Sequence, residues 1–457
     1  MLRLFRDPAC RAIRLMLTIA AFTAGCGEAP QPRNLLLISI DTLRPDHLGC
    51  YGYSRPTSPF LDRLALQGVL FENAHATSPW TLPSHASLFT GLYPSQHGVM
   101  FEDLGLPTNV PTLAEVLRER DFATAGFASG IFLGPRFGLA RGFEHYVVVP
   151  SRPSIGGTAT SLATTDRVSA GGLEWLAAQR GRRFFVFLHY FDVHSDYRPE
   201  PRFAALFGGP YQGPVDGTSG QLMAFLRRQI EFDADDRAHL VDLYDAEIRQ
   251  VDRALEGLFD QLRERGDLAN TVVILTSDHG EEFFEHGGVF HGRTQYQEML
   301  RVPLILVGPG IPPGLRISQP VSLVDLAPTS LALLGAEVPS SVSGRNLAPL
   351  WMAPGDAWSE RDLFAEANHI KEGVGSKRAL LRGRWKLVLQ GNGEHELFDL
   401  VEDPSERVNM AAAKPGLVAD LSKQLTASLG SVREAQALPK LERDMRMQLE
   451  ALGYLRE

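Results

Sequence analysis

The sequence predicts an α/β fold built on a mainly parallel sheet, followed by a smaller α+β unit. Two observations carry this. Apolar runs bounded by turn residues alternate with longer amphipathic stretches up to about residue 354, and beyond it the runs become short. The chain is also large enough for a substantial core, with 457 residues of which 44% are hydrophobic and 22% charged. That composition excludes a disordered chain, a collagen-like chain and a multi-span membrane protein. The net charge of −9 argues against nucleic acid as a partner, which would need a concentrated basic face.

The first 26 residues stand apart. Arg3, Arg6, Arg11 and Arg14 precede an apolar run from Leu15 to Ala24, the layout of a secretory signal. Its end, Thr23-Ala24-Gly25-Cys26, resembles a bacterial lipobox, in which Cys26 would be acylated; ordinary cleavage near Ala24 is the alternative. The expectation is an exported protein, lipid-anchored through Cys26 to the bacterial cell envelope, periplasmic or outer surface. Residues 27–33 form a Pro-containing tether. Of the three cysteines, Cys10 leaves with the signal and Cys26 carries lipid, so Cys50 has no disulfide partner and is expected to be packing.

Strands are predicted at 34–40, 123–129, 184–190, 271–277 and 302–308. Helices are predicted at 58–68, 84–90, 111–120 and 235–265. The last has Leu240, Leu243, Ile248, Val251, Leu255, Leu258 and Leu262 at 3–4 spacing before Gly266. Its polar residues, Tyr244, Asp245 and Asp252 among them, read as a solvated face. Residues 208–220 read as a surface loop. The domain reading is 34–354 for the larger unit and 355–457 for the smaller, with short strands at 379–381 and 385–389 and a final helix.

Ligands in open α/β sheets gather beyond the carboxyl ends of strands. Asp41 follows the first strand, Asp278-His279 follows 271–277, and Asp192, His194 and Asp196 follow 184–190. Carboxylates and imidazoles emerging together suit a divalent cation. Between them lies Ser78-Pro79-Trp80-Thr81-Leu82-Pro83-Ser84-His85. A hydroxyl at a helix start meets an anion-favouring field, and a neighbouring metal could make it an in-line nucleophile. Alternatively Thr81 or Ser84 merely caps the helix.

These segments, in this order, resemble the sulfatase family of the alkaline phosphatase superfamily. Asp41-Thr42-Leu43-Arg44-Pro45-Asp46 resembles its opening metal segment. Thr81-Leu82-Pro83-Ser84-His85 resembles the nucleophile motif Cys/Ser-x-Pro-Ser-Arg. His189-Tyr190-Phe191-Asp192-Val193-His194 resembles the segment with a leaving-group histidine. Thr276-Ser277-Asp278-His279-Gly280-Glu281, with His286 and His291 after it, resembles the second metal segment. Glu396-Leu397-Phe398-Asp399-Leu400 resembles the C-terminal signature.

The resemblance implies a three-layer α/β sandwich with a small C-terminal α+β subdomain. It implies one divalent metal on Asp41, Thr81, Asp278 and His279, calcium by family, with zinc or manganese suggested by His279. Thr81 would attack the ester centre, His194 would protonate the leaving group, and His85 and His291 would steady the anion's oxygens. Asp192 and His286 are weaker candidates. The motif also departs from the family. Sulfatases oxidise the motif Cys or Ser to formylglycine, whereas threonine would give a ketone, so no formylglycine is expected. His85 replaces the motif Arg and Thr42 a second Asp. The expected substrate is a sulfate ester or related anionic ester, borne by a glycan or lipid. The alternatives are a phosphodiester or phosphonate ester hydrolase, a phosphoethanolamine-type transferase using Thr81 directly, and an inactive anionic-glycan-binding protein.

Overall fold

A computed structural model describes residues 32–150, 164–179, 181–353, 358–367, 377–430, 432–440 and 446. The signal segment, Cys10, Cys26 and residues 27–31 of the tether lie outside them. A nine-stranded sheet forms the centre. Its strands are β1 (Asn34–Ile40), β2 (Val69–His75), β3 (Ala123–Ser129), β4 (His145–Val149) and β5 (Phe184–Tyr190). β6 (Thr271–Thr276), β7 (Arg301–Val307), β8 (Leu315–Ile317) and β9 (Val321–Ser322) complete it. Across the sheet the order is β8-β2-β7-β6-β1-β5-β3-β4, with β9 beside β2. Only β7 runs against its neighbours; the other pairings are parallel. The expected strands therefore coincide with β1, β3 and β5, and with β6 and β7 to within one residue.

Successive side chains of β1 point to opposite faces, and both faces are covered, which is why the strand reads as one apolar run. Leu35 and Leu37 pack with Leu82, Leu88 and Phe89 of α2 (Thr81–Thr90), the layer that also holds α3 (Leu113–Arg118) and α6 (Leu326–Leu333). Leu36, Ile38 and Ile40 pack against α1 (Pro59–Ala65), α4 (Thr164–Ala178) and α5 (Ala234–Glu264). A second, antiparallel sheet follows: β10 (Leu363–Ala367), β11 (Lys377–Arg382), β12 (Trp385–Leu389) and β13 (His395–Asp399). Leu421, Leu425 and Leu429 of α7 (Pro415–Leu429) cover it through Leu380, Leu387 and Leu397.

Several elements differ from the sequence expectation for identifiable reasons. α2 begins at Thr81 rather than at residue 84, because Pro83 lies in the first helical turn, where a missing N–H costs nothing. β2 carries Glu72 and Asn73 mid-strand and so shows no continuous apolar run. α4 contains Gly171-Gly172, which reads as a breaker. These glycines let the helix lie close to the sheet: a Cβ on Gly171 would sit 2.7 Å from Phe127 and one on Gly172 2.9 Å from Leu188.

The solvated-face reading of α5 is overturned. Tyr244, Asp245 and Asp252 are all buried. Asp245 receives His47 Nδ1, the Tyr53 hydroxyl and Arg55 Nη1, each at 2.7 Å. Asp252 accepts the backbone N–H groups of Phe60 (3.0 Å) and Leu61 (2.8 Å), satisfying the open start of α1 from a neighbouring helix. The helix is polar here because it serves other segments' backbones. Cys50 is half-buried against the same core, and burial pushes its thiol up, away from the reactive thiolate.

Candidate functional site

β1, β5 and β6 lie side by side and release their chains at one edge of the sheet, so Asp41, the segment from His189 to His194, and Asp278-His279 converge. The Asp41 N–H donates to the Tyr190 carbonyl at 2.9 Å, which ties the first two exits together. Thr42 then turns with φ +54°, a left-handed conformation that a β-branched residue adopts only under constraint. The constraint is visible. Thr42 Oγ1 donates to the Val193 carbonyl (3.0 Å), and the Tyr244 hydroxyl donates to the Thr42 carbonyl (2.7 Å) while accepting the Arg44 N–H (2.9 Å).

α2 brings Thr81 to the same place. Its first residue is Thr81, its preceding residue Trp80 makes no side-chain cap, and Gly91 closes its far end with φ +69°. Neither hydroxyl is the cap considered from the sequence. Thr81 Oγ1 lies 3.3 Å from His279 Nε2, and Ser84 Oγ donates to the Asp278 carbonyl at 2.6 Å, fixing the helix to the β6 exit.

Asp41, Asp278 and His279 each offer a donor atom to one small volume, with the three atoms within 4.8 Å of one another. His279 Nε2 is 3.5 Å from Asp41 Oδ1 and 3.3 Å from Asp278 Oδ2. All three residues are fully buried, and none of the four carboxylate oxygens meets a hydrogen-bond partner. Removing carboxylates from water without compensation costs several kcal/mol each. Burial, with Asp41 beside it, pushes Asp278 up to about 7. Burial likewise raises Asp41 and holds His279 down at about 4, in the neutral, ligating form. Two orphaned carboxylates and a neutral imidazole fit a divalent cation.

His291 and His194 flank this volume. The ring of His291 lies 4.4 Å from that of His279 and 4.9 Å from that of His194. His194 Nδ1 donates to the Ser195 carbonyl at 2.6 Å, which sets the tautomer, and burial lowers its pKa. His291 Nδ1 pairs with Glu281 Oε1 at 3.0 Å, and the Tyr197 hydroxyl donates to Glu281 Oε2 at 2.9 Å. Glu281, fully buried and pushed by burial up to about 7, is thus a support for His291 that sequence reasoning did not single out. Its signal was present: a second acidic residue three positions after Asp278.

His85 lies one helical turn after Thr81. Its Nδ1 donates to the Thr81 carbonyl (2.9 Å), and its Nε2 faces Ser39 Oγ (3.1 Å). The two weaker candidates are used elsewhere. Asp192 receives the hydroxyls of Thr164 and Thr165 and the Thr165 N–H at the described start of α4. His286 pairs with Glu298 at 2.7 Å and stacks on Tyr296. His189 was missed as an individual residue. It occupies the core-facing row of β5 that begins with Phe185 and Phe187, and an imidazole at such a position is itself the signal.

The sulfatase family profile matches residues 33–336, and the profile for the C-terminal region of N-sulphoglucosamine sulphohydrolase matches residues 284–435. Among relatives, the chain is 27% identical over 427 residues to a Δ4,5-hexuronate-2-O-sulfatase from Bacteroides thetaiotaomicron, covering 84% of this chain and 86% of that protein. Solved structures share the fold. The phosphonate monoester hydrolase of Agrobacterium radiobacter superposes with a TM-score of 0.72 at 21% identity, over 87% of this chain and 95% of its own. A structure in complex with its substrate D-glucosamine-2-N,6-O-disulfate gives 0.72 at 21% identity, over 87% and 97%. The family match spans two-thirds of the sequence, and the chain belongs to the sulfatase family, the hydrolases of sulfate esters.

Proposed function

We propose that the site cleaves a sulfate ester of an anionic glycan by direct attack of the unmodified Thr81 hydroxyl. The observation that carries this is Thr81 Oγ1 at the mouth of the Asp41–Asp278–His279 cluster, 3.3 Å from His279 Nε2. One divalent cation would be held by Asp41, Asp278 and His279 with Thr81 at its edge; when bound, it supplies charge that lowers the hydroxyl's pKa and offsets that of the ester. The Thr81 hydroxyl gives up its proton to water, and its Oγ forms a bond to sulfur as the opposite S–O bond breaks. His194, which burial favours as the neutral ring in the free site, would take up a proton beside the negative charge of the bound ester and give it to the leaving oxygen. Neutral His194 then takes a proton from water as the water oxygen displaces Thr81 from sulfur, so the hydroxyl and the acid are both regenerated. His291, oriented by Glu281, steadies the anion's oxygens. The glycan is suggested by the hexuronate-2-O-sulfatase relative and by the disulfated glucosamine bound in a fold neighbour.

Thr81 itself favours a second reading. A formylglycine hydrate expels sulfate by collapsing to the aldehyde, and threonine has no such route. An ester of Thr81 must instead be hydrolysed or transferred, chemistry suited to phosphonate or phosphate esters, and the phosphonate monoester hydrolase shares this fold. Rates on matched aryl sulfate, phosphate diester and phosphonate monoester decide between the two. Sulfate turnover lost in Thr81→Ala supports the first reading; phosphoryl turnover without sulfate turnover supports the second; turnover that survives Thr81→Ala contradicts both.

The proposed setting is the bacterial envelope, with Cys26 lipidated. Among the described residues no helix is long and apolar enough to cross a membrane; attachment would be through acyl chains on Cys26. Cys26→Ser should move the protein from the membrane to the soluble exported fraction. A wild type that is already soluble after export contradicts the anchor.

A further inference from the structure

Among the described residues, His189 is a fully buried polar side chain that no contact given so far explains. Its ring is fully buried in the core-facing row of β5, and neither ring nitrogen makes a well-formed hydrogen bond, although the Ser129 backbone lies near it. In register it stands beside Ser39 of β1, on the face covered by α2. An imidazole left unsatisfied at that depth costs on the order of 1–3 kcal/mol unless something uses it. Its ring lies 4.9 Å from that of His85, edge to face, and its Nε2 is 3.5 Å from Asp41 Oδ2. His85 Nδ1 is in turn 3.5 Å from Asp278 Oδ2.

We propose that His85, His189 and Asp278 form a second divalent-cation site, sharing the Asp278 carboxylate with the first. The three residues are fully buried and offer donor atoms within 4.8 Å of one another. Zinc bonded to nitrogen and oxygen at about 2.0–2.2 Å needs donors a little closer than this, which small side-chain rotations supply. The two carboxylates are arranged for two ions. Asp41 turns Oδ1 to His279 and Oδ2 to His189, and Asp278, 3.3 Å from His279 through Oδ2, also lies within reach of a donor atom of His85 and of His189. His85 already makes the outer contact typical of a ligating histidine, Nδ1 to the Thr81 carbonyl at 2.9 Å. The cation would displace the Ser39 hydroxyl that faces its Nε2 at 3.1 Å. Paired ions at a shared carboxylate suit in-line displacement at a tetrahedral centre, and His85 is tied to the Thr81 backbone.

The proposal rests on the reading that Asp41, Asp278 and His279 hold the first ion, and its test separates the two. The exported chain is stripped with chelator and re-equilibrated with zinc, and bound metal is counted per chain. The expected result is two ions in wild type and one in His189→Ala and in His85→Ala. Asp278→Asn, which alters the shared ligand, should bind less than either. Circular dichroism and a cooperative melt establish that each variant is folded. One ion in wild type that His189→Ala retains overturns the second site and leaves the first standing. Two ions retained by both histidine variants also overturn it. No ion in wild type overturns both sites. If His189→Ala does not fold, wild type and His85→Ala decide by the same counts.

Discussion

Single side chains at the sheet's edge carry the proposed chemistry, and their placement comes at a cost to stability. Thr42 is held in a left-handed conformation by Val193 and Tyr244, a strain of about 1–3 kcal/mol. Asp41 and Asp278 are buried with four unsatisfied oxygens between them. A bound cation would offset that cost, so metal should raise the melting temperature of wild type. Asp278→Asn removes an anionic ligand and a buried repulsion together. It should lower metal content and reduce turnover by at least about a hundredfold, while the metal-free variant melts no lower than metal-free wild type. Elemental analysis, turnover and melting curves check the three parts. Full metal content with full activity would remove Asp278 from the site.

At the scale of elements, the long helix α5 is a brace. Tyr244 fixes the Thr42 turn, and Asp252 closes the start of α1. Burial is the larger influence on Asp252, pushing it up to about 6 against the pull of its N–H donors and Arg249. A carboxyl whose folded pKa lies above its unfolded value binds its proton more tightly in the folded chain. Its contribution to stability is therefore full below about pH 4 and is lost as pH rises through about 6. Asp252→Asn, a neutral mimic, should gain on wild type in melting temperature across that interval. A gap that stays flat or moves the other way contradicts the burial argument. This brace was not legible in the sequence, because a polar residue serving another element's backbone looks the same as one facing water. Asp41 and Asp278-His279 were legible, since each ends an uninterrupted apolar strand. His189 was hidden by the same rule: inside the run Phe-Phe-Val-Phe-Leu-His-Tyr it passes as strand.

Across the whole molecule, the second sheet is joined to the first by buried polar contacts. Lys386 on β12 pairs with Glu406 at 2.7 Å with neither side chain exposed, and Glu406 Oε2 accepts the Gln297 N–H at 2.6 Å. Glu366 on β10 accepts the Ser95 N–H at 2.7 Å, just beyond α2. Removing one partner of a buried pair leaves the other charge uncompensated, worth about 3–5 kcal/mol. Lys386→Met should lower stability by that order in urea unfolding, and Lys386→Met with Glu406→Gln should recover part of it. A single variant as stable as wild type would show that the pair does not join the two sheets. The sequence pattern located both sheets through their apolar strands; the ties were not legible, because Lys386 and Glu406 look like surface charges until the chain is folded.

Threonine, unmodified, is the proposed nucleophile of this sulfatase-family site. Trapping the covalent intermediate tests it most directly. The protein is mixed with an activated aryl sulfate or aryl phosphonate, quenched in acid within the first turnovers, digested and weighed. The expected result is one sulfuryl or phosphonyl group on the peptide containing Thr81, with the unreacted peptide at its genetically encoded mass. Thr81→Ala should show neither adduct nor turnover, and Thr81→Ser should show both at reduced rate. An adduct on another residue, an oxidised Thr81, or turnover persisting in Thr81→Ala would contradict the account.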